Sequence, residues 1–233
     1  MRAARLAAFL AAAALVSACG AGSGSPRVTV LAAASLTEAF SALGGAAFSF
    51  AGSQELVAQV EAGAPADVVA TADADAMDRL VRAGLVDEPR DFARNRLIVA
   101  VEPGNPERIA GLGDLARDAL KVVLADPAVP AGRYALEVLD RAGVRVHPVS
   151  LEPDVKAVAR KVLAGEADGG IVYVTDVPPT AAVPIPEDVN VVATYPVAVV
   201  RATQNRAGAQ AFVDRLLGGE GRDALAGHGF LLP

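Results

Sequence analysis

Short apolar runs of strand character alternate with amphipathic helical runs along most of the chain. Val28–Leu31 reads as a strand and Leu36–Leu43 as a helix. Phe48–Phe50 is a short strand, and Glu55–Ala62 is a helix with Leu56, Val57 and Val60 on one face. Further strands are expected at Asp67–Ala70, Arg96–Val101, Val122–Ala125, Gly170–Val174, Val191–Tyr195 and Val197–Val200. Further helices are expected at Asp73–Ala83, Leu112–Leu120, Arg133–Ala142, Val155–Leu163, Ala207–Leu217 and Gly221–Ala226. Gly63, Gly84, Gly143 and Gly165 stand just past four of these helices, where a left-handed cap is needed. Thr175–Asp188 is Pro-rich and reads as loop. Such alternation predicts an α/β fold with mainly parallel sheets.

Ligands of open α/β sheets bind beyond the carboxyl ends of strands, where the following helices begin. The first such place is Val28-Thr29-Val30-Leu31-Ala32-Ala33-Ala34-Ser35-Leu36-Thr37-Glu38, whose join carries no charge and little bulk. A ligand can approach the backbone there, and the first N–H groups of a helix have no partner of their own. That makes an anion site. Gly52-Ser53, Pro130-Ala131-Gly132 and Pro153-Asp154-Val155 repeat the arrangement. Four such turns predict a pocket for a small oxyanion. Each has a plainer reading. Ser35-Leu36-Thr37-Glu38 also fits a capping box, and Ser53 could cap its helix too. Ala131 and Val155 alone are ordinary helix-start residues, and Tyr173 alone is a core residue at a strand end.

Arg96–Val101 and Val197–Val200 are long enough to cross between two lobes. The first lobe is then discontinuous, residues 27–101 plus 201–233, and residues 102–200 form the second, with the site in the cleft between them.

The N-terminus reads as an export signal. Arg2 and Arg5 precede an apolar stretch, Leu6 to Val16, that is too short to span a bilayer. Cys19 is the single cysteine of the chain, so no intramolecular disulfide forms. Val16-Ser17-Ala18-Cys19-Gly20 resembles the lipobox of bacterial lipoproteins, whose cysteine becomes the lipidated N-terminus. That resemblance implies a leader over residues 1–19, a flexible linker over 20–26, and lipid anchoring on the extracytoplasmic face of the cell membrane.

The formal net charge is −6 before removal of a leader that carries Arg2 and Arg5, so nucleic acid is not an expected partner. Catalysis is not expected either. His147 and His228 are the two histidines, and no Gly-x-Ser-x-Gly elbow surrounds Ser35 or Ser53. Asp67 and Asp126, at strand ends, read as carboxylates that bond loop amides. No ligand-type cluster of His, Cys and carboxylate occurs, so neither a free metal cation nor a cofactor is expected.

Several segments together are similar to one family. They are Val30-Leu31-Ala32-Ala33-Ala34-Ser35-Leu36-Thr37, Phe50-Ala51-Gly52-Ser53, Glu61-Ala62-Gly63-Ala64-Pro65-Ala66-Asp67, Asp126-Pro127 with Val129-Pro130-Ala131-Gly132, Gly170-Ile171-Val172-Tyr173, and Tyr195-Pro196-Val197-Ala198-Val199-Val200. In this order they resemble the ModA family, the molybdate-binding proteins of an ABC importer. The resemblance covers essentially the whole chain after the linker. It implies a type II periplasmic-binding fold, two α/β lobes that close on molybdate or tungstate, and a monomer that delivers its ligand to a membrane permease. It also implies that Ser35 and Ser53 give hydroxyl and amide groups, Ala131 and Val155 backbone N–H groups, and Tyr173 its phenol. Another tetrahedral oxyanion, such as sulfate, is the alternative ligand. Gly52 and Gln54 stand where the family commonly has serines, and Asp126 to Gly132 is a residue shorter than in some relatives.

Overall fold

The computed structural model describes residues 27–233. The expected leader, Cys19 and the linker 20–26 lie outside the described residues. The strands are β1 (Thr29–Ala33), β2 (Ala47–Ala51), β3 (Val68–Ala70), β4 (Arg90–Val101), β5 (Val122–Ala125), β6 (Ser150–Glu152), β7 (Gly169–Tyr173), β8 (Ala182–Pro184) and β9 (Val192–Val199). The helices are α1 (Thr37–Leu43), α2 (Ser53–Glu61), α3 (Ala74–Arg82), α4 (Pro130–Arg141), α5 (Val155–Leu163), α6 (Arg206–Leu217) and α7 (Gly219–Gly227).

The strands follow the order β2-β1-β3-β9-β4-β7-β5-β6, with β8 added on β4. β1 pairs in parallel with β2 and β3, and β5 with β6 and β7. The pairings of β3 with β9, and of β4 with β7, β8 and β9, are antiparallel. The sheet is therefore mixed rather than mainly parallel. The reason is β4, which belongs to both halves. Its residues Arg90 to Arg96 pair with β9, whereas Leu97 to Val101 pair with β7. At the changeover the side chain of Asn190 accepts from Leu97 N–H at 3.2 Å and donates to Leu97 C=O at 2.9 Å. Helices α2, α3 and α6 pack on the β1–β3–β9 half, α1 packs on β2 and α7, and α4 and α5 pack on the β5–β7 half.

Four helices end as read, with Gly63, Gly84, Gly143 and Gly165 at φ of 78°, 69°, 65° and 72°. Other boundaries differ. Leu112–Leu120 is only a 3-10 turn, Leu112–Ala116, because Gly113 sits inside it and Arg117 is already extended. Pro130, at the first position of α4, starts that helix earlier than expected. β9 runs unbroken through Pro196, which faces Asp91 where β4 has a register shift, so the missing proline N–H is tolerated. The Pro-rich loop carries a 3-10 turn, Pro179–Ala181, and β8. β6 was not expected at all. It is a three-residue edge strand with a half-buried, an exposed and a buried position.

Candidate functional site

The joins after β1, β2, β5 and β6 meet in one small cavity at the junction of the two halves, with about 10 Å³ of space for the centre of a water-sized sphere. All five residues singled out from the sequence line it: Ser35, Ser53, Ala131, Val155 and Tyr173. Its volume is far below the roughly 300–1,000 Å³ of pockets for drug-sized organic ligands, so this one suits something much smaller. No lysine, arginine or histidine lines it, and its one charged residue is Asp154.

The capping reading of Ser35 is overturned. Ser35 lies inside a 3-10 turn, Ala34–Leu36, and neither this turn nor α1 has a side-chain cap. Ser35 Oγ instead shares a hydrogen bond of 2.9 Å with Tyr195 Oη, and both residues are buried. Ser53 is the first residue of α2, and Gly52 is its cap position, again without a side-chain cap. Ser53 Oγ accepts from Ala72 N–H at 3.0 Å. An amide can only donate, so the Ser53 hydroxyl proton stays free for another acceptor. If Tyr195 donates to Ser35, the Ser35 proton is free in the same way.

The other half contributes main chain. Ala131 is the second residue of α4 and Val155 the first of α5, so helical geometry gives their N–H groups no acceptor within the helix. The Asp154 carboxylate is already engaged, accepting from Ala157 N–H at 2.8 Å. Gly132 lets the loop fold onto the start of α4, since a Cβ there would lie 2.1 Å from Asp126 O. Tyr173, at the end of β7, is 1% exposed, yet its hydroxyl has no hydrogen-bond partner. Its ring packs edge-on to Tyr195 at 5.9 Å. Burial raises the pKa of both phenols well above the ordinary value, so each remains a neutral hydroxyl.

Charges gather around the cavity rather than in it, and several cross between the halves. Arg133 on α4 bonds Asp73, the cap of α3, and lies 3.7 Å from Asp75. Lys156 on α5 reaches Glu38 on α1 at 2.7 Å and Asp176 at 3.1 Å. Gln54 Nε2 donates to Pro153 O at 3.1 Å, also across the junction. Burial lifts the Asp176 carboxyl to about 6, against the pull of Lys156. Burial also raises Asp73, partly offset by Arg133. For Lys156 burial acts downward, but Asp176 and Glu38 outweigh it and the ammonium is held above its ordinary pKa.

Of the two strand-end carboxylates, Asp126 bonds a loop amide as read, whereas the amide that Asp67 accepts from is the first of strand β1. Asp67 accepts from Thr29 N–H at 2.8 Å, and Asp126 from Ala128 N–H at 2.8 Å. The hydrogen bonds of Ser35 and Ser53 go to Tyr195 and Ala72, and His228 Nδ1 lies 2.7 Å from Ala224 O. Sequence reasoning missed Tyr195, Asp73, Arg133 and Lys156 at the site. The Tyr195-Pro196 step was a signal for the first. The cross-junction pairs had none, because their partners lie 60 and 118 residues apart.

Residues 28–231 match the family model of bacterial extracellular solute-binding proteins. The molybdate-binding protein ModA of Mycobacterium tuberculosis is 39% identical over 225 residues, 90% of this chain and 86% of that protein. ModA of Escherichia coli is 32% identical over 231 residues, 88% of this chain and 89% of that protein. Among solved structures, the periplasmic molybdate-binding protein of Azotobacter vinelandii superposes with a TM-score of 0.77 at 19% identity, covering 89% of this chain and all of that one. The sulfate-binding protein SubI of M. tuberculosis superposes at 0.73 with 20% identity, covering 88% of this chain and 86% of that one. The two halves are thus the lobes of a periplasmic-binding fold with its ligand cleft between them, and the chain belongs to the ModA family of bacterial extracellular solute-binding proteins.

Proposed function

We propose that this protein captures molybdate, and tungstate as well, outside the cytoplasm and delivers it to an ABC permease. One observation carries the reading. Two serine hydroxyls, two helix-start amides and a partnerless tyrosine hydroxyl face one small cavity that no basic side chain lines. Ser35, Ser53, Ala131, Val155 and Tyr173 are the ligand-binding residues in this account. Each hydrogen bond to a charged oxygen contributes roughly 1.5–3 kcal/mol net, so several aligned donors reach micromolar affinity without a fixed cation. A site made of donors also rejects hydrogen phosphate, whose own O–H would face a donor. Sulfate has no such proton, so cavity size alone discriminates against it.

The protein acts as a monomer without catalytic activity or a cofactor, and Cys19 anchors it by lipid to the extracytoplasmic face of the membrane. No helix among the described residues is long and apolar enough to cross a membrane. The expected division is 27–101 plus 201–233 and 102–200; in this account the boundaries fall a few residues earlier, so that β9 goes with the first lobe. The hinge lies where the chain changes sheet halves, at Arg96/Leu97 and in the Asn190–Val192 segment that enters β9. Calorimetric titration with molybdate, tungstate, sulfate and phosphate tests the ligand. Molybdate and tungstate should bind at about 1 μM or tighter, equivalent to about −8 kcal/mol, with no heat from phosphate. Sulfate binding as tight as molybdate would overturn the assignment. Separately, Cys19→Ser should release the protein from membranes and leave ligand affinity intact.

A further inference from the structure

The charged groups outside the cavity follow a pattern that the ligand contacts do not require. Three of the four joins that line the cavity lie within three residues of a charge that crosses the cleft, and the fourth, at Ser53, is bonded to Ala72, the neighbour of such a charge. Asp73 follows Ala72, whose amide holds Ser53, and its partner Arg133 lies two residues past Ala131. Glu38 lies three residues past Ser35, and its partner Lys156 follows Val155. Asp176 connects the second pair to Tyr173, because it accepts from Tyr173 N–H at 3.0 Å while facing Lys156. Each pair therefore ties one donor-bearing join of the first lobe to one of the second.

Resting on the ligand reading above, we propose that Asp73–Arg133 and Glu38–Lys156 are closure latches. They form only when the lobes meet, and they set how long the ligand is held rather than whether it is recognised. The two latches are unequal. Lys156 keeps Asp176 as a partner from its own lobe when the cleft opens. The carboxylate partners of Arg133, Asp73 and Asp75, both belong to the opposite lobe. Asp73 is 1% exposed in this structure, where the pair is formed, so removing Arg133 leaves a buried carboxylate without its ion pair. Glu38 keeps half its side-chain surface in water, and an exposed pair of this kind contributes little. Asp73–Arg133 is accordingly the main latch.

Dissociation and association rates for molybdate in the purified protein test this, read by chasing labelled molybdate. Asp73→Asn keeps an acceptor for the Ala76 amide at the cap of α3 while removing the charge. Arg133→Gln and Asp73→Asn should each speed release by roughly tenfold or more, with association unchanged. The double variant should release no faster than the worse single one, as expected for two ends of one interaction. Glu38→Gln should speed release by only about two- to fivefold. Wild-type release rates in Arg133→Gln and Asp73→Asn, or additive effects in the double variant, overturn the latch. If Arg133→Gln does not fold, Asp73→Asn decides alone. A wild type that binds no oxyanion defeats the ligand reading instead. Small-angle scattering of ligand-free protein then decides the latch. An Arg133→Gln profile more open than the wild type supports it, and identical profiles overturn it.

Discussion

The two lobes furnish the same cavity by different chemistry. The first lobe offers hydroxyls, Ser35 and Ser53, each positioned by a bond to another part of that lobe. The second offers main chain at the starts of α4 and α5, with one hydroxyl, Tyr173, that nothing engages. A hydroxyl is deleted by one substitution, whereas a backbone amide survives every substitution except proline, which lacks the N–H, or one that moves the backbone. The lobes should therefore fail in different ways when mutated.

The largest effect belongs to the second lobe's backbone. Gly132→Ala puts a Cβ against Asp126 O and Ala125 O, at 2.1 and 2.5 Å, so the start of α4 must shift. Molybdate binding should be lost to calorimetry, and the melting temperature should fall. Normal binding by Gly132→Ala would mean that the amides near Ala131 are not donors.

In the first lobe, Ser35→Ala and Ser53→Ala should each weaken molybdate binding by about 1.5–3 kcal/mol, tenfold to over a hundredfold. Both should also lower apo stability, for a reason other than a lost cap. Ser53→Ala strands the Ala72 amide and Ser35→Ala strands the Tyr195 hydroxyl, each costing about 1–3 kcal/mol if left buried and unpaired. Lower stability with unchanged affinity would make both serines structural.

The same contrast explains what was legible in the sequence. Serine at a strand–helix join has a chemical identity, so Ser35 and Ser53 could be picked out as candidates by turn chemistry alone. Their partners could not. The capping box failed because Ser35 falls in a 3-10 turn and bonds Tyr195, 160 residues away. Ala131 and Val155 carry no side-chain signal, because the backbone is the functional group, and only the family resemblance singled them out. Strand–helix alternation showed the α/β class from local periodicity. It did not show the antiparallel β4 and β9, whose direction depends on long-range pairing, or β6, whose three residues are too few to show a period.

Tyr173→Phe sharpens the comparison from the second lobe. It removes a hydroxyl that is buried and unpaired in this structure. Affinity should fall by about tenfold, while the apo melting temperature should hold or rise, the reverse of the serine variants. A lower melting temperature with unchanged affinity would place the hydroxyl in the core rather than the site.

The carboxylate behind Tyr173 gives a smaller signature. Burial lifts Asp176 to about 6, above the roughly 3.9 of an unfolded Asp, with Lys156 and Glu38 beside it. Across that window the folded chain keeps a proton that the unfolded chain releases, so this residue makes stability fall as pH rises from about 4 to about 6. Asp176→Asn should flatten that part of a chemical-denaturation series against pH. An unchanged slope would mean that Asp176 is ionised throughout. The smallest effect is predicted for Val155→Thr, which keeps shape and amide and should leave affinity within about twofold, because a helix-start donor does not depend on its side chain.

The central claim is that pre-aimed neutral donors, not a basic surface, hold a dianion in an acidic protein. Molybdate titration of the wild type by calorimetry at about 50 and about 500 mM salt tests it most directly, since salt screens exposed charges and hardly affects buried dipoles. The account predicts binding at both, with a dissociation constant that changes by less than about threefold. A steep loss of affinity at the higher salt, tenfold or more, would show that lysines or arginines attract the anion and would contradict the account.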